Sequence, residues 1–242
     1  MISKTAMLAL VKDFRSSEVD RGLTENPKLL AFRGERGRTW LHICCGRKLT
    51  PGREKDSIAT AKVLIDHGFD ISAPAFTEGT WKATPVWFAI GWSRNRALAE
   101  YLLKRGADPN HALFAAAFNE DVAAIRLLAR YGADLESVAE ESTPFLGAVR
   151  WSKFGPAEEL LKLGANPDFR DKHGMTALHY MLKKGSDAKH VAMVVRHGAR
   201  GDIPDKSGAT AIDILRKKRD PALRKLAEAL ASTRPAPGKK QD

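Results

Sequence analysis

The 242 residues are 43% hydrophobic and 29% charged, enough apolar content for a packed core and too much for a disordered chain. No apolar run approaches the roughly 20 residues of a helical membrane span, and two adjacent Cys, 44 and 45, exclude a disulfide scaffold and suit a reducing cytoplasm. Of the net charge of +11, residues 216–242 hold +6, from nine Lys/Arg against three Asp/Glu, so the remaining body is only mildly basic, which weakens a nucleic-acid reading.

Residues 6–30 read as an atypical helix pair. Leu8, Val11 and Phe14 fall at helical spacing, and a second helix runs to Leu29-Leu30. The N-terminal stretch makes a poor signal peptide, because no small-residue cleavage site follows its short apolar run. Gly34-Glu35-Arg36-Gly37 is a lone glycine pair, better explained as a turn than as a nucleotide loop. The phrase Gly37-Arg38-Thr39-Trp40-Leu41-His42 then opens a helix. His42 and Cys45 could share one face of it, but two ligands do not close a zinc site, so both Cys are assigned to the core. The segment 48–56, with Thr-Pro-Gly and several charges, reads as a solvent loop between helices.

Val63-Leu64-Ile65-Asp66-His67-Gly68 ends that unit. A Gly takes the left-handed conformation at no steric cost, and a basic residue meets the negative end of the helix dipole. The same stop returns at Gly106, Gly132, Gly164 and Gly198, with spacings of 38, 26, 32 and 34 residues. Each start phrase carries a capping Thr: Thr84-Pro85, Thr143-Pro144, Thr176-Ala177 and Thr210-Ala211. Pro suits the first helical position because its missing N–H costs nothing there. First helices are therefore expected to begin near Thr39, Thr84, His111, Thr143, Thr176 and Thr210. Trp81 falls in a long, irregular connection and Trp92 near a one-residue insertion. Gly106 lies five residues before His111, whereas Gly164 lies twelve before Thr176, so the connection before His111 is too short for a hairpin. Arg216-Lys217-Lys218-Arg219 precedes a last helix opening at Asp220-Pro221, and 231–242 reads as a disordered basic tail.

The start and stop phrases together resemble the ankyrin repeat, Asp-x-x-Gly-x-Thr-Pro-Leu-His-x-Ala-Ala followed by a second helix and Gly-Ala-Asp, with a period of about 33 residues. Asp171-Lys172-His173-Gly174-Met175-Thr176-Ala177-Leu178-His179 is the fullest match, and the resemblance covers roughly residues 20–230. It implies an all-α ankyrin-repeat solenoid of stacked helix-turn-helix units with short hairpin fingers. Residues 1–34 would form an N-terminal helical cap. Residues 35–230 would hold about five repeats, the last acting as C-terminal cap, in one elongated domain. By the resemblance, the rings of His42 and His179 bond backbone and tie neighbouring units. His67 and His197 sit at helix ends, and His173 is exposed at a finger tip.

No nucleophile elbow, phosphate loop, zinc-protease or dinucleotide motif is present, so no enzyme, cofactor or metal is expected. What remains is surface recognition. In the family, partners are gripped by finger residues and exposed first-helix ends on a concave face. Those positions here are Arg36, Arg38 and Arg47, then Trp81 and Trp92, then Phe118 and Asn119. They continue with Arg150 and Trp151, and with Lys172, His173, Met175, Lys183 and Lys184. Large aromatics beside basic residues favour a protein partner with an acidic patch. The expectation is a cytoplasmic, monomeric, non-catalytic regulator, inhibitor or adaptor. The alternative is association of the basic C-terminal segment with nucleic acid or an anionic surface, which is expected to be the lesser role.

Overall fold

The structure is a computed structural model and describes residues 2–78 and 81–232, without the side chains of 77, 78 and 81. It divides into two compact units, Met1–Glu140 and Glu141–Asp242.

The first unit opens with α1 (Lys4–Lys12) and α2 (Ser16–Glu25), followed by two 3-10 turns at Pro27–Ala31 and Glu35–Gly37. Then come α3 (Trp40–Gly46), α4 (Glu54–Asp66) and an antiparallel hairpin of β1 (Ala75–Glu78) and β2 (Trp81–Ala83). A short α5 (Pro85–Trp87) runs into a π-helical turn, Phe88–Trp92, before α6 (Arg96–Leu103), α7 (Ala112–Phe118) and α8 (Val122–Arg130). The second unit is three helical pairs: α9 (Pro144–Arg150) with α10 (Phe154–Lys162), α11 (Ala177–Lys184) with α12 (Ala188–Arg196), and α13 (Ala211–Arg216) with α14 (Pro221–Ser232). Within each unit the pairs stack in two rows. In the first, α2, α4 and α6 form one row, and α3, the α5–π segment and α7 the other. In the second, α9, α11 and α13 face α10, α12 and α14.

The sequence signals act where expected. Thr39, Thr84, His111, Thr143, Thr176 and Thr210 are the N-caps of the first helices. The Thr143 hydroxyl accepts the Leu146 N–H at 3.2 Å, satisfying a donor that the helix itself leaves unmet. The glycines at 68, 106, 132, 164 and 198 all have positive φ, from 80° to 101°, and a side chain there would strain each helix stop.

His42 and His179 complete the design. Each Nδ1 accepts the N–H of the capping Thr at 3.1 Å, so Nε2 must carry the hydrogen, and it donates to a carbonyl of the following finger. The acceptors are Ala73 O at 2.8 Å and Ala209 O at 3.0 Å. A second tie was not read from sequence. The backbone N–H of Asp108, Asp134 and Arg200, two residues past each glycine stop, donates to the side chain of Ser72, Asn110 and Asp168 respectively, at 2.7–3.1 Å. Small polar residues four places after the preceding glycine therefore bond one repeat to the next.

Two expectations are corrected. Phe14 is not on a helix: α1 ends at Lys12, and Phe14 is buried in the connecting turn at φ 54°. The buried residues of α1 are Met7 and Val11. The loop expected over 48–56 ends sooner, because Glu54 already begins α4, and Arg53 is anchored rather than free in solvent. Its guanidinium donates to Asp13 O at 2.7 Å and lies 5.9 Å from the Phe14 ring, fastening the loop to the N-terminal pair. Fingers are mostly turns: among the described residues β1 and β2 are the only strands, and the finger before His111 is absent, as the short spacing required. Of the expected tail, 231 and 232 close α14, and residues from 233 on lie outside the description.

Apolar side chains of both rows meet between the helices. Leu160 is fully buried and Leu161 nearly so. Leu161→Ala is expected to lower stability by about 2–3 kcal/mol, from lost transfer energy and a residual cavity. Urea denaturation at constant m-value measures it, and an unchanged midpoint would contradict this packing.

Candidate functional site

In the first unit the candidate residues gather around one aromatic floor. Phe76 lies on β1 and Phe88 opens the π turn; their rings stack at 5.6 Å. Trp92, at the end of that turn, stacks on Phe88 at 5.7 Å with the planes 15° apart. The Arg38 guanidinium lies over all three rings, 4.3 Å from Phe76, 5.2 Å from Trp92 and 5.4 Å from Phe88. Arg36 also lies over the Phe76 ring, at 5.1 Å. Cations are drawn to the negative faces of aromatic rings, and this attraction strengthens as water is removed.

Local backbone explains the convergence. From the capping Thr to the left-handed residue that ends the first helix is nine positions in the later repeats: His111 to Glu120, Thr143 to Ser152, Thr176 to Gly185. From Thr84 to Arg94 it is ten. The helix absorbs the extra residue as a π turn, with the Ser93 N–H bonded to Phe88 O and Asn95 N–H to Ala89 O. Counted back from the left-handed residue, Trp92 thereby takes the place of Phe118 in the next repeat. Both are exposed, Trp92 at 47% and Phe118 at 56%. Gly91 permits the close fit: a Cβ there would sit 2.9 Å from that of Ala115. Asn119 spans the repeats, donating from Nδ2 to Gly91 O at 2.8 Å and accepting from Arg94 at 3.3 Å. Phe76 holds φ 51°, uncommon for an aromatic residue, at the register break between Ala75 and Glu78.

The neighbouring charges are neutralised unevenly. His42 lies edge-on to Phe88 at 5.5 Å. Burial depresses its pKa to about 4, against the partial support of its carbonyl partners, and Arg38 and Arg33 push the same way. The ring is therefore neutral at pH 7. Burial also raises the thiol of Cys44 to about 12 and that of Cys45 well above its ordinary range, so both are inert core groups. Among the described residues, no carboxylate pairs with Arg36, Arg38 or Arg47. Arg47 caps the end of α3 and is exposed. Trp81 lies on β2, its side chain outside the description.

The second unit holds a separate group. Trp151 is 39% exposed at the end of α9. Arg150 lies over the Tyr180 ring at 5.4 Å, and Lys184 donates to the Arg150 carbonyl. Tyr180 in turn donates to Asp171 at 2.5 Å. Burial works against the Asp171 charge, but the bonds from Tyr180 and from the Met175 and His173 N–H groups outweigh it and hold its pKa below the ordinary range. Asp171 so braces the finger that displays Lys172, His173 and Met175. Lys172 pairs with Glu141 at 3.0 Å, Met175 is half-buried, and His173 and Lys183 are exposed.

Sequence reasoning missed Phe76 and Phe88 as members of the first group. Phe88 looked like plain core, and it is 2% exposed. Phe76 lay in a segment without periodicity. The one available signal was the extra residue between Thr84 and Asn95.

No family model and no curated protein matches the chain. Solved structures do. The human ASB11 ankyrin repeat domain is 18% identical, with TM-score 0.66, over 98% of this chain and 100% of that one. The ankyrin repeat domain of Bcl-3, described as a member of the IkappaB protein family, is 19% identical, with TM-score 0.72, over 92% and 97%. An ankyrin repeat domain from Acinetobacter baumannii AYE is 22% identical, with TM-score 0.62, over 82% and 100%.

Proposed function

The chain has the ankyrin-repeat fold, and from that premise we propose that it is a non-catalytic recognition module for another protein, acting as a regulator, inhibitor or adaptor. The observation that carries the reading is the recurrence of large exposed aromatics, Trp92, Phe118 and Trp151, at first-helix ends beside basic side chains. Water is a poor neighbour for such groups, and Trp and Arg are the residues that most often dominate binding energy. The fingers supply Arg36, Arg38, Lys172, His173 and Met175, and the helix ends supply Arg47, Asn119, Arg150, Lys183 and Lys184. Excess positive charge favours a partner with an acidic patch, with charge steering the encounter and desolvated aromatics holding the complex.

The alternative, nucleic acid or an anionic surface on the basic C-terminal segment, draws less support. Lys218 is committed to the Leu182 carbonyl at 2.8 Å, and α14 spends Leu223, Ala227 and Leu230 on packing.

An affinity pull-down with mass spectrometry identifies the partner, and titration then measures it. Trp151→Ala is expected to weaken binding by about 2 kcal/mol with Tm unchanged. A large fall in Tm with binding retained would assign Trp151 to packing instead.

A further inference from the structure

We propose that Arg36 and Arg38, on the floor of Phe76, Phe88 and Trp92, form a site that reads a carboxylate side chain in an acidic, extended segment of the partner. The inference rests on the recognition reading above and specifies the chemistry of one part of that surface.

Two guanidinium groups converge on a single ring, Arg36 at 5.1 Å and Arg38 at 4.3 Å from the centre of Phe76. Bringing like charges together is unfavourable, and among the described residues no ion pair offsets it. No carboxylate pairs with either among the described residues, and Glu35 of the same turn makes no ion pair. His42 beside them is neutral. The rings fix the plane of the Arg38 fork, and its Nε is buried without a hydrogen-bond partner. A planar fork held in place presents its remaining N–H groups at low entropic cost, the geometry that suits the two oxygens of a carboxylate.

Phosphate is the rival anion. Phosphate sites commonly use a nest of backbone N–H groups. Here three of the turn's N–H groups are already bonded within it: Gly34 N–H to Arg38 O, Gly37 N–H to Gly34 O, and Arg38 N–H to Glu35 O. A carboxylate read by side chains alone is the better fit. The exposed faces of Trp92 and Phe118 favour an apolar residue close to that carboxylate in the bound segment.

A library of displayed random linear peptides, selected on the full chain, tests the site. Enriched peptides should carry Asp or Glu beside an apolar residue. They are then synthesised with the acids intact, with Gln/Asn in their place, and with phosphoserine in their place, and titrated by calorimetry. Replacement by Gln/Asn should weaken binding about tenfold or more, as should Arg36→Gln and Arg38→Lys in the protein. Arg36 is exposed, so Arg36→Gln should leave Tm unchanged and keeps the test valid if Arg38→Lys unfolds the chain. Neutral consensus peptides, indifference to Arg36→Gln, or phosphoserine binding about tenfold tighter than the acid would each overturn the carboxylate site. Enriched peptides sensitive only to Trp151→Ala would overturn it too, while leaving the wider recognition reading in place. Absence of any enrichment counts against this site, and the pull-down then decides the wider reading independently.

Discussion

Trp40→Ala is expected to lower the unfolding free energy by about 3–5 kcal/mol, the range for removing a large aromatic from a closed core. Trp40 is fully buried at the first turn of α3. Its ring stacks on Phe32 at 3.8 Å, and its indole N–H donates to the Leu29 carbonyl at 2.9 Å. The substitution removes the ring, opens a cavity and takes one of the two hydrogen bonds that the Leu29 carbonyl accepts, the other coming from the Phe32 N–H, and all three losses act in one direction. Helical pairs of this size cannot offset their conformational entropy alone, so damage at the N-terminal stack propagates to its neighbours. Chemical denaturation followed by circular dichroism measures the effect. A loss below about 1 kcal/mol would show that the segment from Pro27 to Phe32 does not pack on Trp40 as described.

The second large effect is on pH dependence. His42 is held neutral in the fold, with its pKa near 4, while in the unfolded chain it returns to about 6.5. The unfolded state therefore binds a proton first. The contribution of His42 is complete above pH 6.5, is lost steadily as pH falls from 6.5 to about 4, and is flat below that. A shift from 6.5 to about 4 corresponds to about 3 kcal/mol across the window. Carboxylates held low in the fold, Asp171, Asp205 and Asp213, weaken the protein only at still lower pH, so the two ranges separate. Urea midpoints at pH 7 and pH 4.5 should differ strongly in the natural chain and much less in His42→Asn. Equal pH slopes in the two proteins would show that His42 is not a buried neutral cap.

The sequence alone determined the repeat architecture. A Thr before five of the six first helices and a Gly after most second helices are local signals, each enforced within one turn of backbone by capping and by left-handed φ. That is why helix starts at Thr39, Thr84, Thr143, Thr176 and Thr210 are legible residue by residue. The roles of His42, His179 and the Cys pair were also readable, because they occupy fixed places in a repeated phrase. Only the tertiary structure decided the binding group. Phe76 and Arg38 are 38 positions apart, and their meeting depends on a register break in the hairpin and on a π turn that moves Trp92 by one place. Phe14 shows the same limit, since helical spacing marked it as apolar but could not show that it caps a turn and receives Arg53 from a distant loop. Contacts of this kind arise from the packing of irregular connections, where no periodicity records which side chains will face one another.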